Sequence, residues 1–244
     1  MPAADRNALF TQAYRNLGLF PLMAAEDIAN FRVKYGRRTL AKLKREVKNS
    51  AADGKVIFTG HRGCGKSTLL NEFAIQMRQE DLFVTIFSIA DMVEMSDVNH
   101  VNILYAIALQ LLSKATKMQV DIPATTKKTL LNWFTETKSK TYTDQLKQEF
   151  ALGIDLFDLL TGKLKKEDTF RDEIKITYER KVSELSDMID RIARAIQIAT
   201  KKEVLVIIDD LDMLDLSLVE SIYRDNINAL LSPSIRIVFT IPIS

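Results

Sequence analysis

One cysteine in 244 residues, Cys64, leaves no partner for an internal disulfide, which fits a reducing compartment. Only two histidines, His61 and His100, accompany it, too few soft ligands for a typical zinc cage and too few parts for cysteine or serine-triad chemistry. No run reaches the roughly 18 uninterrupted apolar residues of a spanning helix; even "FALGIDLFDLL" carries Asp155 and Asp158. The early "LGLFPLMAA" has the length of a signal-peptide core, but polar and acidic residues precede it and "EDIANF" follows, so export is not expected. A net charge of +2, with both signs spread along the chain, gives no basic face, so nucleic acid is not indicated by charge. An N-K-x-D segment for guanine is also lacking. These absences describe a cytoplasmic protein with no membrane span. Its 47% hydrophobic content can fill one large domain, or one domain with an insertion.

Glycine is scarce too, eight in all, yet Gly60, Gly63 and Gly65 fall together and Lys66, Ser67 and Thr68 follow at once. "GHRGCGKS" fits G-x-x-x-x-G-K-[ST], the phosphate-binding loop. Glycines let the backbone curl with its N–H groups inward, and those donors, with the positive end of the following helix, surround a phosphate. Gly60, Gly63, Cys64, Gly65, Lys66, Ser67 and Thr68 are therefore the candidate ATP-binding residues. Lys66 would reach the β- and γ-phosphates, and Ser67 would present its hydroxyl to Mg²⁺. The motif needs a strand before it and a helix after it: "KVIFT" (55–59) reads as the strand and "KSTLLNEFAIQMRQE" as the helix.

"VLVIIDDLD" is the second signal. Its apolar run suits a parallel strand covered on both faces, and the acids that end it suit the Mg²⁺ shell of a phosphate-loop enzyme. Alone it is equally a strand entering a solvated turn; beside the glycine loop, Asp209 is assigned to the metal, through water, and Asp210 to the attacking water.

Elsewhere, residues up to about 31 read as an amphipathic helix, and Leu40, Leu43 and Val47 as a second, short one. "LFVTIFSI" (82–89) reads as a strand and 101–115 as a buried helix. From 117 to 202 there is no convincing strand, and Val182, Leu185, Ile189, Ile192 and Ile196 lay one apolar stripe along a helix that packs on another helix. A helix over 216–231 and a strand over 235–241 finish the chain. The expected organisation is a helical lead-in (1–50), a core in two parts (51–116 and 203–244) and a helical insertion (117–202) between them.

The two motifs resemble those of P-loop ATPases of the AAA+ and STAND (signal-transduction ATPase) kind. The likeness implies an α/β fold, a parallel β-sheet flanked by helices in three layers, with the insertion between the two motifs. In the related KAP ATPases an insertion at this place carries membrane helices, whereas 117–202 has no run of that length. "VKYGRRTLAKLKREV" is similar to the element that lies near the nucleoside in such ATPases, which marks Gly36 and Arg37; a plain basic helix start fits as well. "IRIVFTI" looks like the strand that sets a polar residue near the γ-phosphate, which marks Thr240. By the same likeness a fifth strand and a helical lid would follow, so the chain is expected to be a fragment or to be completed by a partner. The catalytic set is then Lys66, Asp210 and Thr240, and the metal set Ser67 and Asp209.

The implied activity is a slow Mg-dependent ATPase acting as a regulatory or defence-type switch, because an aspartate at 210 is shorter than the glutamate of many motor-type relatives. Self-association or a partner protein is expected through the insertion or the lid, with an arginine finger drawn from Arg171, Arg180, Arg191, Arg224 or Arg236. A remodelling or DNA-loading AAA+ ATPase, or a nucleotide-dependent scaffold with little hydrolysis, are the alternatives.

Overall fold

A computed structural model describes residues 35–123 and 156–241, with Thr125 and isolated positions among the first 34. The expected amino-terminal helix falls largely outside the described residues, as does the stretch 126–155. Four strands form one parallel sheet: β1 (Lys55–Thr59), β2 (Leu82–Ser88), β3 (Glu203–Asp209) and β4 (Arg236–Ile241), in the order β1-β4-β3-β2. The chain-terminal strand is thus inserted between the glycine-loop strand and the acidic strand. β1 is an edge, paired among the described residues with β4 alone.

The uninterrupted apolar run of β3 is explained by cover on both faces. Leu205 and Ile207 point to one side, where α1 (Arg37–Asn49) and α2 (Lys66–Arg78) supply Leu40, Leu43, Val47, Leu70 and Phe73. Val204, Val206 and Ile208 point to the other side and join the larger core. That side is built by α4 (His100–Lys117), α5 (Leu156–Lys166), α6 (Asp168–Tyr178) and α7 (Val182–Thr200). Three layers result, helix on sheet on helix.

The described helices between 156 and 200 do not stand apart from the core. The stripe of α7 is buried, with Leu185, Ile189, Ile192 and Ile196 fully covered, and it packs on α4 and on β3. α5 packs on the short α3 (Ile89–Met92) that follows β2. Lys165 Nζ donates to the carbonyls of Ala90 (2.6 Å) and Val93 (3.1 Å). The Arg171 guanidinium donates to Asp97 Oδ2 at 2.7 and 3.0 Å, to the carbonyls of Leu164 and Lys165, and to Asp168. Among the described residues no helix is long and apolar enough to cross a membrane.

The single helix expected over 216–231 is two short ones, α8 (Leu216–Glu220) and α9 (Ile227–Leu231), separated by a π turn over Ser221–Asp225. Two bonds accompany it: Tyr223 Oη reaches out to donate to the Thr240 carbonyl of β4 (3.2 Å), and Asn226 Nδ2 donates locally to the Ser221 carbonyl (2.8 Å).

Arg171 is 3% exposed and Asp168 82%, so the two ends of that pair differ in weight. Arg171→Ala, which strands two carbonyls and Asp97, is expected to cost roughly 2–4 kcal/mol. Asp168→Ala is expected to cost at most about 1 kcal/mol. Urea denaturation of both variants checks this, and an equal loss would contradict it.

Candidate functional site

The site lies at the carboxyl ends of the strands, where parallel α/β sheets collect their loops. Ile208 of β3 is level with Phe239 of β4, and Phe58 of β1 with Thr240. The ends of β1 and β3 therefore finish at one height on either side of β4, about 10 Å apart.

After β1 the backbone turns through Gly63 (φ 80°) and Gly65 (φ 83°), left-handed values that a side chain resists. A Cβ on Gly65 would also stand 1.7 Å from Tyr35 Oη, which lies 3.5 Å from the Gly65 carbonyl. Gly65 caps α2, so the amino end of that helix opens onto the loop. Cys64 is exposed, with its sulfur packed at Gly60. The Leu22 N–H donates to Thr68 Oγ1 (3.2 Å), which sets Leu22 against the same turn. Gly36 stands against Leu69 of α2, so the turn before α1 does reach the loop helix, while Arg37 is exposed at its start.

Lys66 folds back rather than outward. Its ammonium donates to the carbonyls of Gly60 (2.8 Å) and His61 (2.9 Å) and pairs with Asp212 Oδ2 at 2.9 Å. Both side chains are buried, 7% and 5% exposed.

From the other side, Asp209 ends β3 and is buried. One of its oxygens accepts from the Asp210 N–H (2.9 Å). Burial pushes its carboxyl above the ordinary value; a hydrogen bond from Ser67 opposes the shift, and the nearby charges of Asp210 and Asp212 add to it. Asp210 is left-handed (φ 65°), which turns the chain into the short 3-10 turn Leu211–Met213 and brings Asp212 back toward the loop. Ser88, level with Asp209 at the end of β2, donates its hydroxyl to Asp210 Oδ2. Carboxylate oxygens of Asp209, Asp210 and Asp212 all lie within 4.8 Å of one another.

Thr240 is fully buried, and its hydroxyl is spent on β3: it accepts from the Leu211 N–H (3.0 Å) and donates weakly to the Ile208 carbonyl (3.4 Å). It braces the turn that carries Asp210 and Asp212 rather than facing the loop. Of the candidate arginines, Arg171 and Arg236 are consumed inside the fold. The first is described above; the second pairs with Glu203 and donates to the Ser50 carbonyl (3.1 Å).

A glycine loop and an acidic strand end, held one strand apart in a parallel sheet, set the arrangement beside what known families contain. The KAP family P-loop domain matches residues 39–235. The chain belongs to that family. No curated protein matches it.

In this KAP-family P-loop domain the loop, Lys66 and Asp209 are brought together as the two motifs imply. Asp212 and Ser88 join them without having been assigned a role from sequence. Asp212 stood in the quoted motif, and its signal is the spacing: three residues past a strand-ending acid, one tight turn returns it to the same side. Ser88 could be found only as a hydroxyl ending a strand whose neighbour ends in the acid.

The donor set fits a magnesium ion. Three carboxylates and the Ser67 hydroxyl offer oxygen only, as a hard cation requires, and the Asp209 carboxyl is raised chiefly by burial, with smaller additions from the charges of Asp210 and Asp212.

A carboxyl whose value is raised by folding opposes stability fully above that raised value, and the penalty fades as pH falls through it toward the ordinary carboxylate range. Asp209→Asn is therefore expected to raise the melting temperature of the nucleotide-free domain at neutral pH, with the gain shrinking as the pH is lowered toward 4. Thermal unfolding across pH checks this. An unchanged or lower melting temperature at neutral pH would contradict it.

Proposed function

We propose that this domain binds Mg-ATP and hydrolyses it slowly, and that its nucleotide state acts as a regulatory or defence-type switch of the AAA+/STAND kind. The observation that carries the reading is convergence: Lys66 from one loop meets Asp212 at 2.9 Å, within the carboxylate cluster that Asp209 and Asp210 share from the other. The strand order, with β4 between β1 and β3, supports the subclass.

In this reading the backbone N–H groups of Gly60 to Thr68, with the start of α2, receive the phosphates. Lys66 supplies the charge on the β- and γ-oxygens. Asp209 and Ser67 would hold Mg²⁺, which supplies charge neutralisation on the phosphate oxygens. Asp210 takes up the proton of the attacking water, and Thr240 acts through the backbone by fixing the turn that carries it. Tyr35, which stands against Gly65, and Arg37 would meet the nucleoside in this reading. The described helices between 156 and 200 pack onto the core, and their exposed faces, or a lid, are where self-association or a partner would act.

Slow turnover follows from Asp210. An aspartate is about 1.5 Å shorter than a glutamate, and a misplacement near 1 Å costs on the order of a hundredfold. Ser88 further restrains this carboxylate.

Calorimetry and phosphate release test the reading together. Wild type is expected to bind ATP and turn over below the enzyme median of about 10 s⁻¹. Lys66→Ala is expected to lose binding, and Asp210→Glu to gain rate, by up to about a hundredfold. Fast wild-type turnover, or an Asp210→Glu variant with no gain, would contradict the slow-switch assignment.

A further inference from the structure

We propose that Asp212 is a counter-ion latch on the phosphate loop: without nucleotide it holds Lys66, and a phosphate gains that lysine only by displacing it. The inference rests on the reading of the loop as a phosphate site and adds to it the residue that competes for the site.

The argument begins with a count of donors. An ammonium has three N–H groups. On Lys66 all three have partners: the Gly60 carbonyl, the His61 carbonyl and Asp212 Oδ2. With the two side chains 7% and 5% exposed, solvent has little access to weaken the pair. A phosphate oxygen approaching this ammonium therefore has to replace one partner. Two of them are backbone of the loop itself. The third is an anion, a charge-assisted acceptor and the partner that a phosphate most resembles.

Displacement has a consequence on the acidic side. Once parted from Lys66, Asp212 lies within the same 4.8 Å cluster as Asp209 and Asp210, and three buried or half-buried carboxylates with no cation repel one another. The same repulsion faces the incoming phosphates. A divalent cation relieves both, since its oxygen ligands are the ones the cluster offers. The latch thus ties nucleotide affinity to the cation: release of Lys66 is costly alone and cheap with the metal, and by linkage each ligand strengthens the other. Asp212 acts in this scheme as a competitor of the nucleotide and a positioning residue for Lys66, with no contact to the reacting atoms required.

Calorimetric titration of the full chain with ADP, in EDTA and in excess Mg²⁺, separates the possibilities without turnover. In EDTA, Asp212→Asn is expected to bind ADP at least about tenfold more tightly than wild type. In Mg²⁺ the two are expected to agree within about threefold, so the variant's dependence on the cation is the smaller. Asp212→Ser, with a side chain too short to reach Lys66, is expected to behave in the same way. An Asp212→Asn variant that binds no more tightly in EDTA overturns the latch, as does one weakened chiefly in Mg²⁺, which would make Asp212 a ligand. Failure of both variants to fold, read by circular dichroism, also overturns it, because the residue would then be a brace. If wild type binds no ADP under either condition, the phosphate-site reading fails and the latch with it. Binding by wild type with no difference in the variants sinks the latch alone.

Discussion

The contact between Lys66 and Asp212 ties together residues that the chain separates by most of its length, and the sheet makes it possible. Because β4 sits between β1 and β3, the two loops end on opposite sides of one strand, near enough for a lysine to cross and too far for the loops to fuse. Each feature of the site follows from that spacing. The loop has to curl, so it needs glycines with left-handed backbone at 63 and 65. The acids have to turn back, so Asp210 adopts the same left-handed region and Thr240 pins the turn from β4.

The arrangement concentrates charge where a fold would ordinarily avoid it. Three acids and one ammonium lie close together, and burial raises the carboxyl of Asp209 above its ordinary value. Two layers of helices cover the sheet. On one face α1 and α2 close over Leu205 and Ile207; on the other α4 and α7 close over Val206 and Ile208. At the far end of the strands, Lys55 donates to the carbonyls of Pro233 (2.8 Å) and Ile235 (3.0 Å), and Arg236 pairs with Glu203. The sheet is thus fastened at its base and charged at its tip. Substitution of an acid in such a cluster can stabilise a fold at the expense of its site, a trade common at sites built for ligands.

Much of this was legible in the amino-acid order. The β-branched and aromatic runs at 55–59, 82–88 and 236–241 show their strands by residue type, and the glycine loop shows itself by composition. Leu40, Leu43 and Val47 read correctly as one buried face. What periodicity could not convey was partnership. The stripe from Val182 to Ile196 predicts a helix against a helix, and it does meet α4, but its contact with β3 makes α7 part of the sheet's own cover. The break at Ser221–Asp225 goes with Tyr223 reaching β4, a contact no local pattern encodes. Thr240 is marked only by resemblance to a family strand; its hydrogen bonds to Leu211 and Ile208 follow from the strand order, which local sequence does not carry. The spacing of Asp212 from Asp209 hints at its return to the same side, but its contact with Lys66 emerges only once the strand order is known.

The account stands on one claim, that the curled loop and the acids after β3 form a single receptor for a magnesium-bound nucleotide. The most direct measurement is a crystal structure of the domain with ADP and Mg²⁺. The account predicts density for the phosphates within the Gly60 to Thr68 loop, the Lys66 ammonium on a phosphate oxygen and parted from Asp212, and the metal beside Ser67 and Asp209. Nucleotide bound elsewhere, or Lys66 still on Asp212 with the phosphates in place, would contradict it.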